Sequence, residues 1–206
     1  MPNAYPVLYR LGMDWWEDND DTGPLPELIA DRPPGMVLDA GCGTGRHAVW
    51  LAQQGWTVIG VDGVEKPLRE ARARAEAAGV ADRTTFIRDD VARLVNVPTN
   101  PPYDLIVDIG CYHGLRPDEQ VSFAAWVTRH ARKDADVVIH AVEPRSGIGP
   151  KGIDEATLGT TFGPSWSIRT TPSTTTGGGP LRHAAFRWFT LTRTTTPTSR
   201  TEEARL

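Results

Sequence analysis

A short apolar strand that runs directly into a glycine-rich turn constrains this chain more than any other feature. The strand is Met36–Ala40 (MVLDA), and glycines follow it at positions 41, 43 and 45. After the turn, residues 44–54 carry apolar side chains at helical spacing, and Gly55 ends the predicted helix. Glycine lets a backbone turn tightly and approach a ligand, and the start of a helix offers amide groups without internal partners. The sequence therefore predicts a strand, a ligand-binding turn and a helix in succession.

The same alternation of strand and helix continues along the chain. Helices are predicted at residues 65–78, which are rich in Ala, Arg and Glu, and at residues 118–131, which are amphipathic. Further strands are predicted at Thr57–Asp62 and at residues 85–88, 104–109 and 136–142. Strands joined by helical crossovers form a parallel sheet that is covered on both faces, and the crossovers are right-handed. The predicted fold class is α/β, with a doubly wound, mostly parallel, Rossmann-like sheet.

The amino-acid composition of the sequence changes after residue 143. Glycine, proline and threonine dominate there, and two β-like stretches at residues 165–171 and 184–193 are predicted to close the sheet as an antiparallel pair. We expect a single domain over residues 1–206. Its predicted parts are an N-terminal segment (1–30) that ends in a short helix, a ligand-binding core (36–142), substrate-side loops with the closing strands (143–193) and a flexible tail (194–206).

Composition and charge exclude several classes of function. The 206 residues carry a formal net charge of −4, which argues against a duplex-binding protein, because such a protein needs a basic face. Two cysteines are too few for a disulfide framework or a four-cysteine zinc site, and no His, Cys and carboxylate cluster has metal-ligand spacing. Neither a signal peptide nor an apolar run of the ~20 residues that span a bilayer is visible. We therefore expect a cytoplasmic protein without a metal, a membrane partner or a nucleic-acid partner.

Acidic residues at the ends of two predicted strands indicate a nucleoside ligand. Asp39 lies near the end of the first strand, and Asp62 ends the second. A carboxylate at the tip of the second strand can accept hydrogen bonds from both ribose hydroxyls. Dinucleotide-binding enzymes prefer the spacing G-x-G-x-x-G. Here the glycines are spaced G-C-G-T-G, with Arg46 and His47 next, so that pattern is not matched.

Residues 36–142 instead resemble class I S-adenosylmethionine-dependent methyltransferases throughout. The segments that carry the resemblance are VLDAGCGTG, VIGVD, FIRDDV and YDLIVDIGCYHGL, in this order. The resemblance implies that S-adenosyl-L-methionine is the cofactor, with its methionine part on the glycine loop, its ribose on Asp62 and its adenine amine on Asp90. Asp89 is the competing choice for the adenine contact. The implied cofactor-binding residues in this core are Asp39, Gly41, Gly43, Asp62, Gly63, Asp90, Val91 and Asp108.

The N-terminal segment is similar to that of small-molecule methyltransferases of the thiopurine, halide and heterocycle-modifying type. An aromatic pair, Trp15 and Trp16, precedes a proline-containing helix start at residues 24–28. In those enzymes the segment forms a lid over the cofactor. The resemblance implies that Trp16 covers the cofactor and that Trp15 contacts the substrate. The alternative is that both rings pack on the edge of the sheet.

Methyl transfer from a sulfonium is an in-line displacement, so the enzyme mainly aligns the reactants and excludes water. A general base is needed only if the acceptor must lose a proton. His113 follows the fourth strand at the carboxyl edge, where open α/β sheets bind ligands, and is the candidate catalytic residue. Its alternative role is to pack against the cofactor or to order its loop. Tyr112 is a candidate substrate contact or an ordinary buried residue, and Cys111 is expected to be a small buried hydrophobe.

These features predict an enzyme that transfers a methyl group from S-adenosylmethionine to an O, N or S atom of a small molecule. Two alternatives remain: a catalytically silent cofactor-binding protein, and an enzyme that uses the cofactor for other chemistry. Residues 100–103 (NPPY) spell a motif of nucleic-acid amino-methyltransferases. That motif ends the fourth strand in those enzymes, but here it precedes the strand, so we interpret it as a chance match.

Overall fold

The computed structural model describes residues 21–146, 150–173, 181 and 183–194. Every strand in this part of the chain belongs to one seven-stranded sheet. The strands are β1 (Met36–Ala40), β2 (Thr57–Asp62), β3 (Thr84–Arg88), β4 (Tyr103–Ile109), β5 (Ala131–Val142), β6 (Trp166–Pro172) and β7 (Phe186–Arg193). The α-helices are α1 (Leu25–Ile29), α2 (Arg46–Gln53), α3 (Glu65–Ala77), α4 (Pro117–His130) and α5 (Glu155–Phe162).

The order of the strands confirms the predicted fold class. Across the sheet the order is β3-β2-β1-β4-β5-β7-β6. The first five strands in this order are parallel to one another, whereas β7 runs antiparallel to both β5 and β6. The chain winds outward from β1 to β3 and then returns to place β4 on the other side of β1. Ligands bind outside the carboxyl ends of the strands at such a switch point.

Apolar side chains cover both faces of the sheet and divide the core into two clusters. One cluster joins β-strand residues to apolar residues of α1, α2 and α3, and the other joins them to α4 and α5. Strand residues alternate between the clusters: Leu105 and Val107 lie in the first, and Ile106 lies in the second. Among the described residues, no helix combines the length and apolarity needed to cross a membrane.

Three local differences from the sequence-based prediction have physical causes. Helix α2 begins at Arg46 and not at residue 44, because its N-cap Gly45 adopts a left-handed φ of 74°. Strand β5 begins at Ala131, directly after α4 and five residues before the predicted start at 136. The crossover between β3 and β4, at residues 89–102, is built of turns and not of a helix. There the Asp89 and Asp90 carboxylates accept hydrogen bonds from nearby backbone N–H groups, which competes with helix formation.

Candidate active site

The glycine loop after β1 is fixed against the end of β2. The backbone N–H groups of Gly41 and Cys42 both donate to the Val61 carbonyl, at 2.7 and 2.9 Å. Gly41 has a φ of 75°, and a Cβ built on it would lie 2.4 Å from the Cβ of Cys111. A side chain at position 41 would therefore collide with the loop after β4. Glycine at this position lets the loops after β1 and β4 meet at the switch point of the sheet.

Asp62 has the position that a ribose contact requires, at the carboxyl end of β2. Its Oδ2 accepts a hydrogen bond from the Gly43 N–H at 3.1 Å, and its Oδ1 accepts one from the Val64 N–H at 2.8 Å. Each carboxylate oxygen has lone pairs for a further donor. The two backbone hydrogen bonds orient the half-buried carboxylate before a ligand arrives, so little rotamer entropy remains to be lost on binding.

The loop after β3 contains both candidate adenine contacts, Asp89 and Asp90, and each is hydrogen-bonded within the loop. The Asp90 Oδ1 accepts from the Ala92 N–H at 3.0 Å. Both oxygens of Asp89 accept hydrogen bonds within the loop, from the N–H groups of Asp90 (2.8 Å) and Asn96 (2.6 Å). Asp90 is exposed, and Val91 beside it is buried in the α4-side cluster. The loop lies close to Asp62, since the Asp89 N–H donates to the Asp62 carbonyl at 3.2 Å. Asp62 and Asp90 therefore belong to one corner of the sheet edge.

Gly63 connects the same two loops. Arg88 donates from Nε to the Gly63 carbonyl at 3.4 Å, and a Cβ built on Gly63 would lie 3.8 Å from the Asp89 carbonyl oxygen. A small side chain would fit in the space at Gly63. The structure thus places Gly63 beside the predicted cofactor site without making glycine obligatory there.

The electrostatic potential at this edge is negative. Burial raises the pKa of the Cys111 thiol well above its ordinary value, and the charges of four carboxylates raise it further. In order of effect these are Asp108, Asp62, Asp39 and Asp90. A sulfonium cofactor carries a positive charge that this potential stabilises, whereas the pyrophosphate of a dinucleotide would be repelled. The negatively charged carboxylates at this edge therefore fit S-adenosylmethionine.

His113 lies in the 3-10 turn Tyr112–Gly114, directly after β4, and is 7 % exposed. Burial lowers the pKa of its imidazole to about 4. The ring is thus neutral at neutral pH. Its Nδ1 accepts a hydrogen bond from the Val142 backbone N–H at 3.4 Å, which assigns the ring proton to Nε2. In this tautomer, Nε2 is a hydrogen-bond donor.

Tyr112 lies in the core, although it is next to His113 in sequence. Its ring packs against Phe123 and Phe162, with centroid distances of 5.6 and 6.1 Å, and the residue has no exposed surface. Burial raises the pKa of its hydroxyl to about 12. The structure therefore does not bring Tyr112 to the surface of the site, and the predicted contact with a substrate would require the turn to open.

A hydrogen-bond network that the sequence did not predict lies on the α1–α3 side of the sheet. Asp21 is its centre: Oδ2 accepts from Ser173 Oγ (2.8 Å) and Trp188 Nε1 (3.2 Å), and Oδ1 accepts from the Gly23 N–H (2.9 Å). His140 Nε2 lies 3.0 Å from Ser173 Oγ. Since the single Ser173 proton goes to Asp21, His140 donates to Ser173. The network joins the chain at residue 21 to β5, β7 and the end of β6.

In the sequence, this network is indicated by His140, a histidine within the otherwise apolar run VVIHAV of β5. His140 stacks on Phe186 and contacts Trp188, with ring centroids 5.2 and 4.3 Å apart. His47, in the first turn of α2, is half-buried beside the same network and hydrogen-bonds to the Asp21 backbone. His47 and His140 therefore have structural roles in this part of the protein. The predicted lid residues Trp15 and Trp16 lie outside the described residues.

Replacing Asp21 by alanine is expected to lower the free energy of unfolding by about 1.5–3 kcal/mol, the range for hydrogen bonds to a charged group. The two donors that lose their acceptor, Ser173 and Trp188, are distant in sequence and partly buried. Urea denaturation followed by tryptophan fluorescence measures the change. The matched control is Asp31→Ala at an exposed position, which should shift the free energy by less than ~0.5 kcal/mol. Equal effects of the two substitutions would contradict the role of Asp21.

The buried imidazoles should make the protein less stable as the pH falls below ~6.5. Burial lowers the pKa of His47, His113 and His140 to about 4 in each case. Between the unfolded and the folded pKa, the unfolded chain binds protons that the folded chain excludes, so stability is lost as the pH drops. Urea denaturation at several pH values should show that His140→Gln removes about 1.4 kcal/mol per pH unit of this dependence. The exposed His183→Gln control should keep it.

Comparison with known proteins agrees with this geometry. A protein-family profile described as "Methyltransferase domain" matches residues 37–134. An uncharacterized methyltransferase of Schizosaccharomyces pombe is 29% identical over 105 residues, which are 51% of this chain and 70% of the relative. The 2-heptyl-1-hydroxyquinolin-4(1H)-one methyltransferase of Mycobacteroides abscessus is 24% identical, with 71% of this chain and 74% of the relative covered.

A solved structure shares the whole architecture. It is the 1,6-didemethyltoxoflavin-N1-methyltransferase of Burkholderia thailandensis with bound 1,6-didemethyltoxoflavin and S-adenosylhomocysteine. Its TM-score is 0.71 at 23% identity, with 93% of this chain and 86% of that chain covered, which establishes the common fold.

Within residues 21–146, 150–173, 181 and 183–194, no three or more His, Cys, Asp or Glu side chains are arranged to hold a metal ion. The matched family, the strand order and the acidic, glycine-lined edge identify residues 37–134 as a methyltransferase domain whose site fits S-adenosylmethionine.

Proposed function

We propose that this methyltransferase acts on a small molecule and methylates an oxygen, nitrogen or sulfur atom. The observation that carries the proposal is the set of four carboxylates whose charges converge on Cys111 at the carboxyl edge. A polyanionic acceptor such as RNA or DNA needs a basic face, whereas this chain carries a formal net charge of −4, which an uncharged or cationic small molecule tolerates. The similarity to enzymes named for 2-heptyl-1-hydroxyquinolin-4(1H)-one and for 1,6-didemethyltoxoflavin supports a heteroaromatic acceptor.

The cofactor contacts that we propose are distributed over three loops. Asp62 would hold the ribose, Asp90 the adenine amine, and Val91 would lie against the adenine ring. The methionine part would lie on the loop after β1, beside Asp39. The residues that we assign to the cofactor are Asp39, Gly41, Gly43, Asp62, Gly63, Asp90 and Val91, with Trp16 from the N-terminal segment. Asp108, which the sequence also predicted as a cofactor contact, has no exposed surface and accepts hydrogen bonds from the turn after β4, so we do not assign it to the cofactor.

The bound cofactor supplies an electrophilic methyl group on a sulfonium with a neutral leaving group. The protein's own task is to align the acceptor with that methyl and to exclude water. We assign the acceptor contact to His113, whose Nε2–H can hold an acceptor atom by a hydrogen bond. Trp15 completes the proposed acceptor side, whereas Tyr112, which is packed in the core, is not assigned to it. Both cysteines, Cys42 and Cys111, are thiols, which supports a reducing cytoplasm as the place of action.

The test is transfer of a radiolabelled methyl group from S-adenosylmethionine to a panel of acceptors. The panel contains hydroxyquinolones, nitrogen heteroaromatics, phenols and thiols, with bulk transfer RNA and ribosomal RNA in parallel reactions. The expected result is label in at least one small molecule and none in RNA. Label in RNA would contradict the proposed acceptor class. Binding of the cofactor by calorimetry without transfer to any acceptor would instead support the catalytically silent alternative.

A further inference from the structure

Asp108 has an unusual environment for a carboxyl group at the end of a strand. It has no exposed surface, and by the alternation of β4 it lies on the α4 side of the sheet, with Ile106. Its Oδ1 accepts hydrogen bonds from the backbone N–H groups of Cys111 (3.1 Å) and Tyr112 (2.9 Å). Its Oδ2 has no partner among the described residues. The carboxyl group thus binds the first two amides of the turn that follows β4.

A second buried side chain holds the same turn from α4. The Gln120 amide donates from Nε2 to the carbonyl of Tyr112 at 3.3 Å and to that of Leu115 at 3.4 Å. Gln120 is 8 % exposed, so these contacts satisfy a buried amide. Asp108 therefore binds the N–H groups at the start of the turn, and Gln120 binds carbonyl groups within and after it. Along the chain, His113 lies between the N–H groups that Asp108 binds and the Leu115 carbonyl that Gln120 binds.

We propose that Asp108 and Gln120 are positioning residues for methyl transfer, and that they hold the turn at residues 111–115 in the shape that presents His113 to the acceptor. The proposal rests on the proposed function. It assigns to both side chains a role that acts through His113 and not through the reacting atoms themselves.

The protonation state of Asp108 controls how firmly the turn is held. Burial raises its pKa to about 7, although the two amide hydrogen bonds favour the carboxylate. The titratable groups that face it are Cys111 and Tyr112 on the turn, whereas Asp39 on β1 lies on the opposite face of the sheet. On the same face, β5 contributes Ile139 and Ala141, and the α4 residue that contacts the turn is the uncharged Gln120. No other described charge acts on it to a comparable degree.

A pH effect near neutrality follows from this arrangement. Above the pKa of Asp108, a carboxylate holds the amides of Cys111 and Tyr112, and charged acceptors make the stronger hydrogen bonds. As the pH falls through about 7, the carboxyl becomes neutral and the hold weakens. The His113 imidazole titrates near 4 and is already neutral over this range. An acid limb of activity close to neutral pH therefore belongs to Asp108.

The direct test is a pH titration followed by the ¹H–¹⁵N resonances of residues 111 and 112 in the full chain. In the wild-type protein both amides should shift in one step near pH 7, and Asp108→Asn should abolish the step. The exposed Asp82→Asn control should retain it. A step that persists in Asp108→Asn, or the absence of a step in the wild type, would overturn the proposal. This measurement needs no acceptor, so its outcome is independent of the proposed function.

Kinetics test the link to His113. Asp108→Asn should lower kcat about 10-fold, leave the Kd for S-adenosylmethionine within about 2-fold, and remove the acid limb. Gln120→Met, which keeps the length and removes the amide, should lower kcat in the same way and keep the acid limb. It also serves if Asp108→Asn does not fold. Unchanged kcat in either folded variant, or an equal loss of cofactor affinity, would overturn the positioning role.

Discussion

Replacing Asp62 by alanine is expected to weaken the binding of S-adenosylmethionine by about 1.5–3 kcal/mol, a rise of about 10- to 150-fold in Kd. The reason is that the carboxylate at the end of β2 is already oriented by the N–H groups of Gly43 and Val64 and is placed to accept from the ribose hydroxyls. Isothermal titration calorimetry measures the change directly. No other single substitution in the cofactor site is expected to cost as much affinity.

Two further variants make this result specific. Asp62→Asn keeps one acceptor oxygen and the size of the side chain, so its affinity should fall between those of the wild type and Asp62→Ala. Asp82→Ala removes an exposed carboxylate of the same type outside the site and should leave the Kd unchanged. Unchanged affinity in Asp62→Ala would refute the ribose contact. Comparable affinity for NAD would move the chain to the dinucleotide-binding class.

Replacing His113 by alanine is expected to lower turnover by about 100-fold or more while cofactor affinity stays close to that of the wild type. A positioned hydrogen-bond donor or proton acceptor at the reacting atoms contributes at least this much. Measurement of kcat and of the cofactor Kd on the same preparation separates this role from packing, in which both quantities fall together. An unchanged rate would remove His113 from the chemistry and restrict the acceptor to nucleophiles that need no deprotonation.

Whether His113 acts as a hydrogen-bond donor or as a general base depends on the tautomer of its imidazole ring. Because the Val142 N–H occupies Nδ1 of His113, Nε2 carries the proton, and His113→Gln retains a donor at a similar distance from the backbone. We therefore expect His113→Gln to keep more activity than His113→Asn. Since the pKa of the imidazole is about 4, neither variant should remove a pH step above pH 5. A step near 6.5 in the wild type that disappears in His113→Ala but persists in Asp108→Asn would show that the imidazole is the base.

The fold could be predicted from the sequence because its signals are local. The run MVLDA, the glycine spacing after it and the run TVIGVD are each contained in a few residues, and β1 and β2 have the predicted bounds. Two β-like stretches, at residues 165–171 and 184–193, likewise indicated the closing antiparallel pair. The start of β5 was wrong because residues 131–135 (ARKDA) are polar, although their backbone extends the strand.

The parts of the site that could not be predicted depend on contacts distant in sequence. Asp21 accepts hydrogen bonds from Ser173 and Trp188, which are 152 and 167 residues away in sequence. The periodicity of the sequence does not predict such pairs. Gln120 looked like one polar residue of an amphipathic helix, but it faces inward toward the turn after β4. The greater exposure of Asp90 compared with the half-buried Asp89 likewise depends on how the loop folds and could not be predicted.

The account is tested most directly by a crystal structure of the protein with S-adenosylhomocysteine. The ribose hydroxyls should lie within hydrogen-bonding distance of both oxygens of Asp62, about 2.5–3.0 Å, with the adenine amine on Asp90 and the ring against Val91. The sulfur should lie above the glycine loop and face the turn that carries His113. A nucleoside bound away from the carboxyl ends of β1 and β2, or without a contact to Asp62, would contradict the account.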